Sequence, residues 1–125
     1  MTTGAAGADA PGGQPSLVAL SNAMVQLYKS QFGRGPTKAR SAFAGPDTLI
    51  CTLQDSLTPA ERTMVKMGEY QRLRDTRLIF QHASETEFRA AVEEITGRKV
   101  WAFVSGMDVH HDVACEIFYL EPETT

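Results

Sequence analysis

Between Glu69 and Gly97 the apolar positions Leu73, Phe80, Phe88, Ala91 and Ile95 recur at helical intervals. At 100° per residue they fall within about 60° of one line, the width of a core-facing stripe. Arg72, Arg74, Asp75, Glu85, Arg89 and Glu93 lie mostly off that line. The pattern predicts one long amphipathic helix over Glu69–Gly97, about 43 Å long at 1.5 Å per residue. Gly97 is a suitable stop, because it turns left-handed without a Cβ clash. Ser84-x-x-Glu87 has the spelling of a capping box, so two helices meeting near Ser84 are the alternative. The stripe keeps its phase across Ser84, which favours one continuous helix. Leu78 and Ile79 fall off the stripe, either as scattered exposed apolar residues or as contacts to a second subunit. Arg77 sits close to the stripe. Its ordinary reading is a snorkelling side chain whose stem covers apolar surface; the sharper one is a partly buried guanidinium gripping a carboxylate or phosphate with two hydrogen bonds.

The rest of the chain divides around this helix. Ser16 can cap an earlier helix carrying Leu17, Leu20, Met24, Leu27 and Tyr28, closed by Gly33. Asp47–Leu53 alternates Leu49, Cys51 and Leu53 with Thr48, Ile50 and Thr52, the pattern of a half-buried strand. Leu57-Thr58-Pro59-Ala60-Glu61 is the clearest local signal: Thr58 caps, Pro59 takes the first helical position and Glu61 completes a capping box. A short helix to about Met67 follows, ended by Gly68. Lys99–Ser105 and Val113–Glu121 read as two further strands. Val100–Val104 is apolar on both faces, which predicts a central strand covered on both sides. In the last strand Val113, Cys115, Ile117 and Tyr119 share one face, and Phe118 and Leu120 share the other with Glu116. Gly106–Asp112 between these strands is long for a hairpin connection.

The pattern therefore predicts an α+β domain over residues 16–121, with a small, mainly antiparallel three-stranded sheet packed by two main helices. A helix layer on one face would leave the other partly bare, to be covered by the N-terminal helix or, as expected here, by a second copy in a homodimer.

Composition adds bounds. The first 15 residues are mainly Gly, Ala, Pro and Thr, too small and too weakly apolar to offset the entropy of ordering, and are expected to form a disordered tail; residues 122–125 are expected to form a short C-terminal tail. The net charge of −3 argues against a nucleic-acid binder, which needs a broad basic face. No run of 18 apolar residues offers a membrane span, and the start lacks the basic and apolar regions of a signal peptide. The expected location is the cytoplasm, with any membrane role exercised through a membrane-protein partner. Cys51 and Cys115 have no metal or redox spacing and read as buried thiols.

Two stretches carry candidate chemistry. Gly33-Arg34-Gly35-Pro36-Thr37-Lys38-Ala39-Arg40 breaks helix with two glycines and a proline and has no acid until Asp47. It reads either as a shaped, solvated turn or as an anion-binding loop, with Arg34, Lys38, Arg40 and Arg77 supplying charge and Gly35 and Thr37 close approach. It is not a phosphate-binding Walker loop, since Gly-Lys-Ser/Thr is missing and no strand precedes it. Asp108, His110, His111 and Asp112 are possible metal ligands, but adjacent histidines in extended chain point opposite ways and the spacing matches no standard site. A polar loop is the simpler reading. No nucleophile, base and orienting group stand in a recognisable order, so no catalytic residue and no cofactor is assigned.

Several of these pieces together resemble a known family. Asn22–Tyr28, Gly33-Arg34-Gly35-Pro36-Thr37, Leu57-Thr58-Pro59-Ala60-Glu61, Thr96-Gly97-Arg98-Lys99-Val100 and Glu116-Ile117-Phe118-Tyr119-Leu120 are similar to the small bacterial MpsC domain, named for a proposed Na+-translocating membrane-potential-generating system. The likeness covers about residues 17–121. It implies a cytoplasmic accessory or regulatory component linked to membrane ion transport and transfers no catalytic residues. A small-anion sensor binding phosphate or carboxylate at the basic loop is the alternative.

Overall fold

The computed structural model describes residues 15–123. The elements run α1 (Leu17–Phe32), β1 (Lys38–Phe43), β2 (Thr48–Gln54), α2 (Pro59–Lys66), α3 (Tyr70–Ala83), α4 (Glu85–Thr96), β3 (Val100–Asp108) and β4 (Val113–Leu120). The strands form one antiparallel sheet in the order β1-β2-β4-β3. Residues 1–14 of the expected N-terminal tail, and 124–125 of the C-terminal one, lie outside the described residues.

The α+β class holds, but the sheet has four strands rather than three. The additional strand, β1, occupies the second half of the basic stretch. Its inward positions are Ala39, Ser41 and Phe43, and the small ones give little hydrophobic alternation to read. They are small because α1 lies close: the Ser21 and Ser41 hydroxyls are 2.8 Å apart. The local signals at α1 and α2 are realised. Ser16 Oγ accepts from the Ala19 amide at 3.0 Å, and Gly33 closes α1 at φ 81°. Thr58 and Glu61 form the reciprocal capping box ahead of α2.

The predicted long helix over Glu69–Gly97 is two helices, α3 and α4, that meet at Ser84. The alternative suggested by Ser84-x-x-Glu87 is thus correct in place, although the Ser84 side chain forms no capping bond. Its hydroxyl donates to Gln31 Oε1 of α1 at 2.5 Å instead. The buried positions explain the joint. They are Leu73, Arg77 and Gln81 on α3 and Phe88 and Val92 on α4. Leu73 and Val92 would stand about 100° apart around a straight helix, so one rod would carry one of them off the sheet. Phe80, assigned to the stripe, is 46% exposed and meets Phe32 edge-on at 6.3 Å.

β3 is an edge strand, not the covered central strand predicted from its apolar run. Trp101 and Val104 are 60% and 50% exposed. A bulge between Val100 and Ala102 places the Trp101 ring against Tyr119, 5.7 Å between centroids. On the other face Phe103 stacks between Phe88 and Phe118. The connection to β4 is also shorter than predicted, because β3 continues through Gly106 to Asp108 and only Val109–Asp112 turns. Leu49, Cys51, Leu53, Ala114, Phe118 and Leu120 point from the sheet into a core with Leu20, Met24, Tyr28, Leu73, Phe88 and Val92 of the helices. Cys51 is buried, whereas Cys115 on the opposite sheet face is only half-buried.

Candidate functional site

The basic stretch divides into two parts with different surroundings. Gly35 lies so close to α1 that a Cβ would come within 3.0 Å of the Val25 carbonyl oxygen. Arg34 turns inward: its Nη1 donates to the Asp55 carbonyl at 2.5 Å and the Leu57 carbonyl at 3.2 Å, and its Nη2 lies 3.2 Å from Asp55 Oδ2. Thr37 Oγ1 donates to Asp55 Oδ2 at 2.8 Å, and Arg62 pairs with Oδ1 at 2.7 Å. The Thr37 bond and the two arginines hold the Asp55 carboxyl below its ordinary range. Asp55 itself takes a left-handed conformation, φ 61°. Gly-Arg-Gly-Pro-Thr thus clamps the corner between β2 and α2.

Lys38 and Arg40 point the other way, outward from β1. With Thr37, Ala39, Thr52 and Gln54 they line an open cavity of about 490 Å³. Of the predicted anion-binding residues, Thr37, Lys38 and Arg40 therefore share one surface, while Arg34 and Arg77 are committed elsewhere.

Arg77 is 1% exposed and grips Glu61 with two bonds, Nε to Oε2 at 2.7 Å and Nη2 to Oε1 at 2.6 Å. Its Nη2 also donates to the Ser56 carbonyl at 3.0 Å, and its guanidinium lies 3.7 Å over the Phe32 ring. The sharper reading of Arg77 is the observed one, with an internal carboxylate as its partner. Burial alone would raise the Glu61 carboxyl; the bonds from Arg77 and Thr58 outweigh it and hold the group below its ordinary value. One carboxylate thus caps α2 and anchors α3.

The predicted ligands of the β3–β4 turn are dispersed. Asp108 accepts from the His111 amide at 3.1 Å and lies 3.1 Å from its ring nitrogen. His110 packs against the Tyr70 ring. Asp112 instead receives the Ser56 and Leu57 amides at 2.9 and 3.1 Å, tying this turn to the clamped corner. Among the described residues no three His, Cys, Asp or Glu side chains group as metal ligands.

A buried polar cluster escaped the sequence reading. Glu116, fully buried, points from β4 toward the helices. The Tyr28 hydroxyl of α1 and the Gln81 amide of α3 both donate to Glu116 Oε2, and the same amide lies 2.6 Å from the Tyr28 oxygen. Cys51 and Ser105 are the cross-strand neighbours of Glu116. Glu116 Oε1, Gln81 Oε1 and Ser105 Oγ have no protein hydrogen-bond partner. Burial pushes the Glu116 carboxyl up to about 7, against the pull of the Tyr28 hydroxyl bonded to it. Burial, and then Glu116 itself, keep the Tyr28 hydroxyl protonated well above its ordinary value. The available signal was alternation, which puts Glu116 inward between Ala114 and Phe118; Gln81 follows one helical turn after Arg77.

Helices on one face of a four-stranded antiparallel sheet, with a clamped basic corner and a closed polar core, define a small α+β domain built around internal ion pairing. The family described as Na+-translocating membrane potential-generating system (MpsC) matches residues 17–122, and the chain belongs to it. No curated protein and no solved structure matches it significantly.

Proposed function

We propose that this protein is a cytoplasmic accessory or regulatory component of a membrane-associated ion-transporting system, acting by binding rather than by catalysis. The observation that carries the reading is membership of the MpsC family over residues 17–122. No described helix is long and apolar enough to cross a membrane, and the reading places the contact with the transport machinery in a membrane-protein partner. The strongest polar groups, Arg77 with Glu61 and Glu116 with Tyr28 and Gln81, bond one another inside the domain, which supports a structural rather than a chemical use for them. The test is recovery of the tagged full chain from crosslinked cells of its own host. The expected result is one integral membrane protein enriched in proportion to the chain; recovery of the chain without any such protein counts against the reading.

A second reading, binding of phosphate or a small carboxylate, is favoured by the outward convergence of Lys38 and Arg40 beside Thr37. It predicts saturable thermal stabilisation by phosphate that is lost in Lys38→Ala with Arg40→Ala. An unchanged melting temperature across a phosphate titration removes it.

A further inference from the structure

We propose that the sheet face turned away from the helices is a self-association surface, on which a second copy of this chain docks face to face about a two-fold axis parallel to the strands. The fully buried side chains of the sheet all point to one face, where α1 packs on β1 and β2, and α3 and α4 pack on β3. On the opposite face even the central strands β2 and β4 carry no fully buried side chain. Strand pairing sorts that face into rows running across all four strands. One row is Lys38, Gln54, Val113 and Asp108. Four residues along the strands, another is Ala42, Ile50, Ile117 and Val104. The exposed Trp101 ring packed on Tyr119 continues the apolar area beyond it.

The occupant follows from the distribution of charge. Lys38 stands at the β1 edge and Asp108 at the β3 edge of the same row, with opposite sign and uncharged residues between them. A two-fold axis parallel to the strands exchanges the two edges while keeping each row in place. Lys38 of each copy then faces Asp108 of the other, twice by symmetry, and Ile50 faces Ile117. Arg40, in the intervening row, faces Gly106, where a side chain is absent and the surrounding space is open. An axis across the strands would instead lay the charged row over the Trp101 and Tyr119 end. Two sheets packed in this way sit about 10 Å apart. The face measures roughly 20 by 25 Å from strand spacing and rise, or about 1,000 Å² over both copies, the lower limit of a specific interface. The dimer is therefore one that dissociates on dilution.

The test is sedimentation of the full chain from about 1 to 300 µM, the range suited to an interface of this size. The wild type is expected to pass from monomer to dimer. Lys38→Glu sets like charges against each other twice and weakens the dimer about tenfold or more. Combining it with Asp108→Lys restores the dimer. Asp108 also bonds the His111 amide, so Val104→Asp, at a half-exposed edge position, provides an independent variant that is expected to abolish association. A monomer throughout, whether residues 1–14 or another protein cover the face, overturns the proposal. So does a dimer that survives both Lys38→Glu and Val104→Asp, and so does a double variant that fails to restore association. Phosphate binding at Lys38 would not be recovered by the charge exchange, which separates this proposal from the second functional reading.

Discussion

Glu116→Gln should flatten the pH dependence of stability. Glu116 is fully buried, and its carboxyl is raised by burial from 4.5 to about 7. Because its pKa is higher in the folded state, the folded chain retains a proton that the unfolded chain releases between these values. The associated stability is complete below about pH 4.5 and is lost as pH rises through 7. At 1.36 kcal/mol per pKa unit, the full span is about 3 kcal/mol, of which about 2–3 kcal/mol falls between pH 5 and 8. Glu61 and Asp55 are held below their ordinary values, so their contributions are present above the unfolded values and are lost only as the solution becomes more acidic than pH 5. The Cys51 thiol, raised by burial to about 11, titrates above the window. The glutamine oxygen can accept from Tyr28 and Gln81 as the protonated acid does, and its amide can serve Ser105. Urea unfolding of both proteins at pH 5, 6, 7 and 8 measures the effect. The wild type should lose about 2–3 kcal/mol over the series and the variant under about 1. Parallel curves would refute the assignment of a buried, proton-holding carboxyl.

Two further perturbations test the interior. Arg77→Ala leaves the Glu61 carboxylate without its bidentate partner in a largely closed site and should cost about 3–5 kcal/mol in chemical denaturation; a loss under 1 kcal/mol would contradict the buried pair. Arg34→Ala removes bonds to two backbone carbonyls and should lower stability in anion-free buffer by about 1–3 kcal/mol, while Lys38→Ala, on the outer surface, should leave it within about 0.5. Equal effects would mean that the basic stretch does not divide as described.

Legibility in the sequence followed the range of each interaction. The caps at Ser16 and Thr58 and the stop at Gly97 depend on neighbours a few residues away, and all three were readable. β1 was not, because Ala39 and Ser41 owe their size to α1, which lies beside them only in the fold. The apolar run of β3 suggested a covered strand, but coverage depends on strand order, and β4 rather than β3 lies between its neighbours. The joint at Ser84 was spelled locally, yet its need comes from keeping Leu73 and Val92 on one sheet. At the candidate site the motif Gly-Arg-Gly-Pro-Thr was visible. Asp55, which receives Arg34 and Thr37, stands 18 or more residues further along, so the inward turn of Arg34 was not. Glu116 was placed on the inner face by alternation, but its partners Tyr28 and Gln81 come from two separate helices.

The most direct measurement is the Na+-dependent potential of inverted membrane vesicles from host cells lacking this chain, before and after addition of the purified protein. The account predicts a diminished potential that the protein restores in a saturable manner. A potential equal to that of vesicles from unmodified cells, and unaltered by the protein, would contradict it.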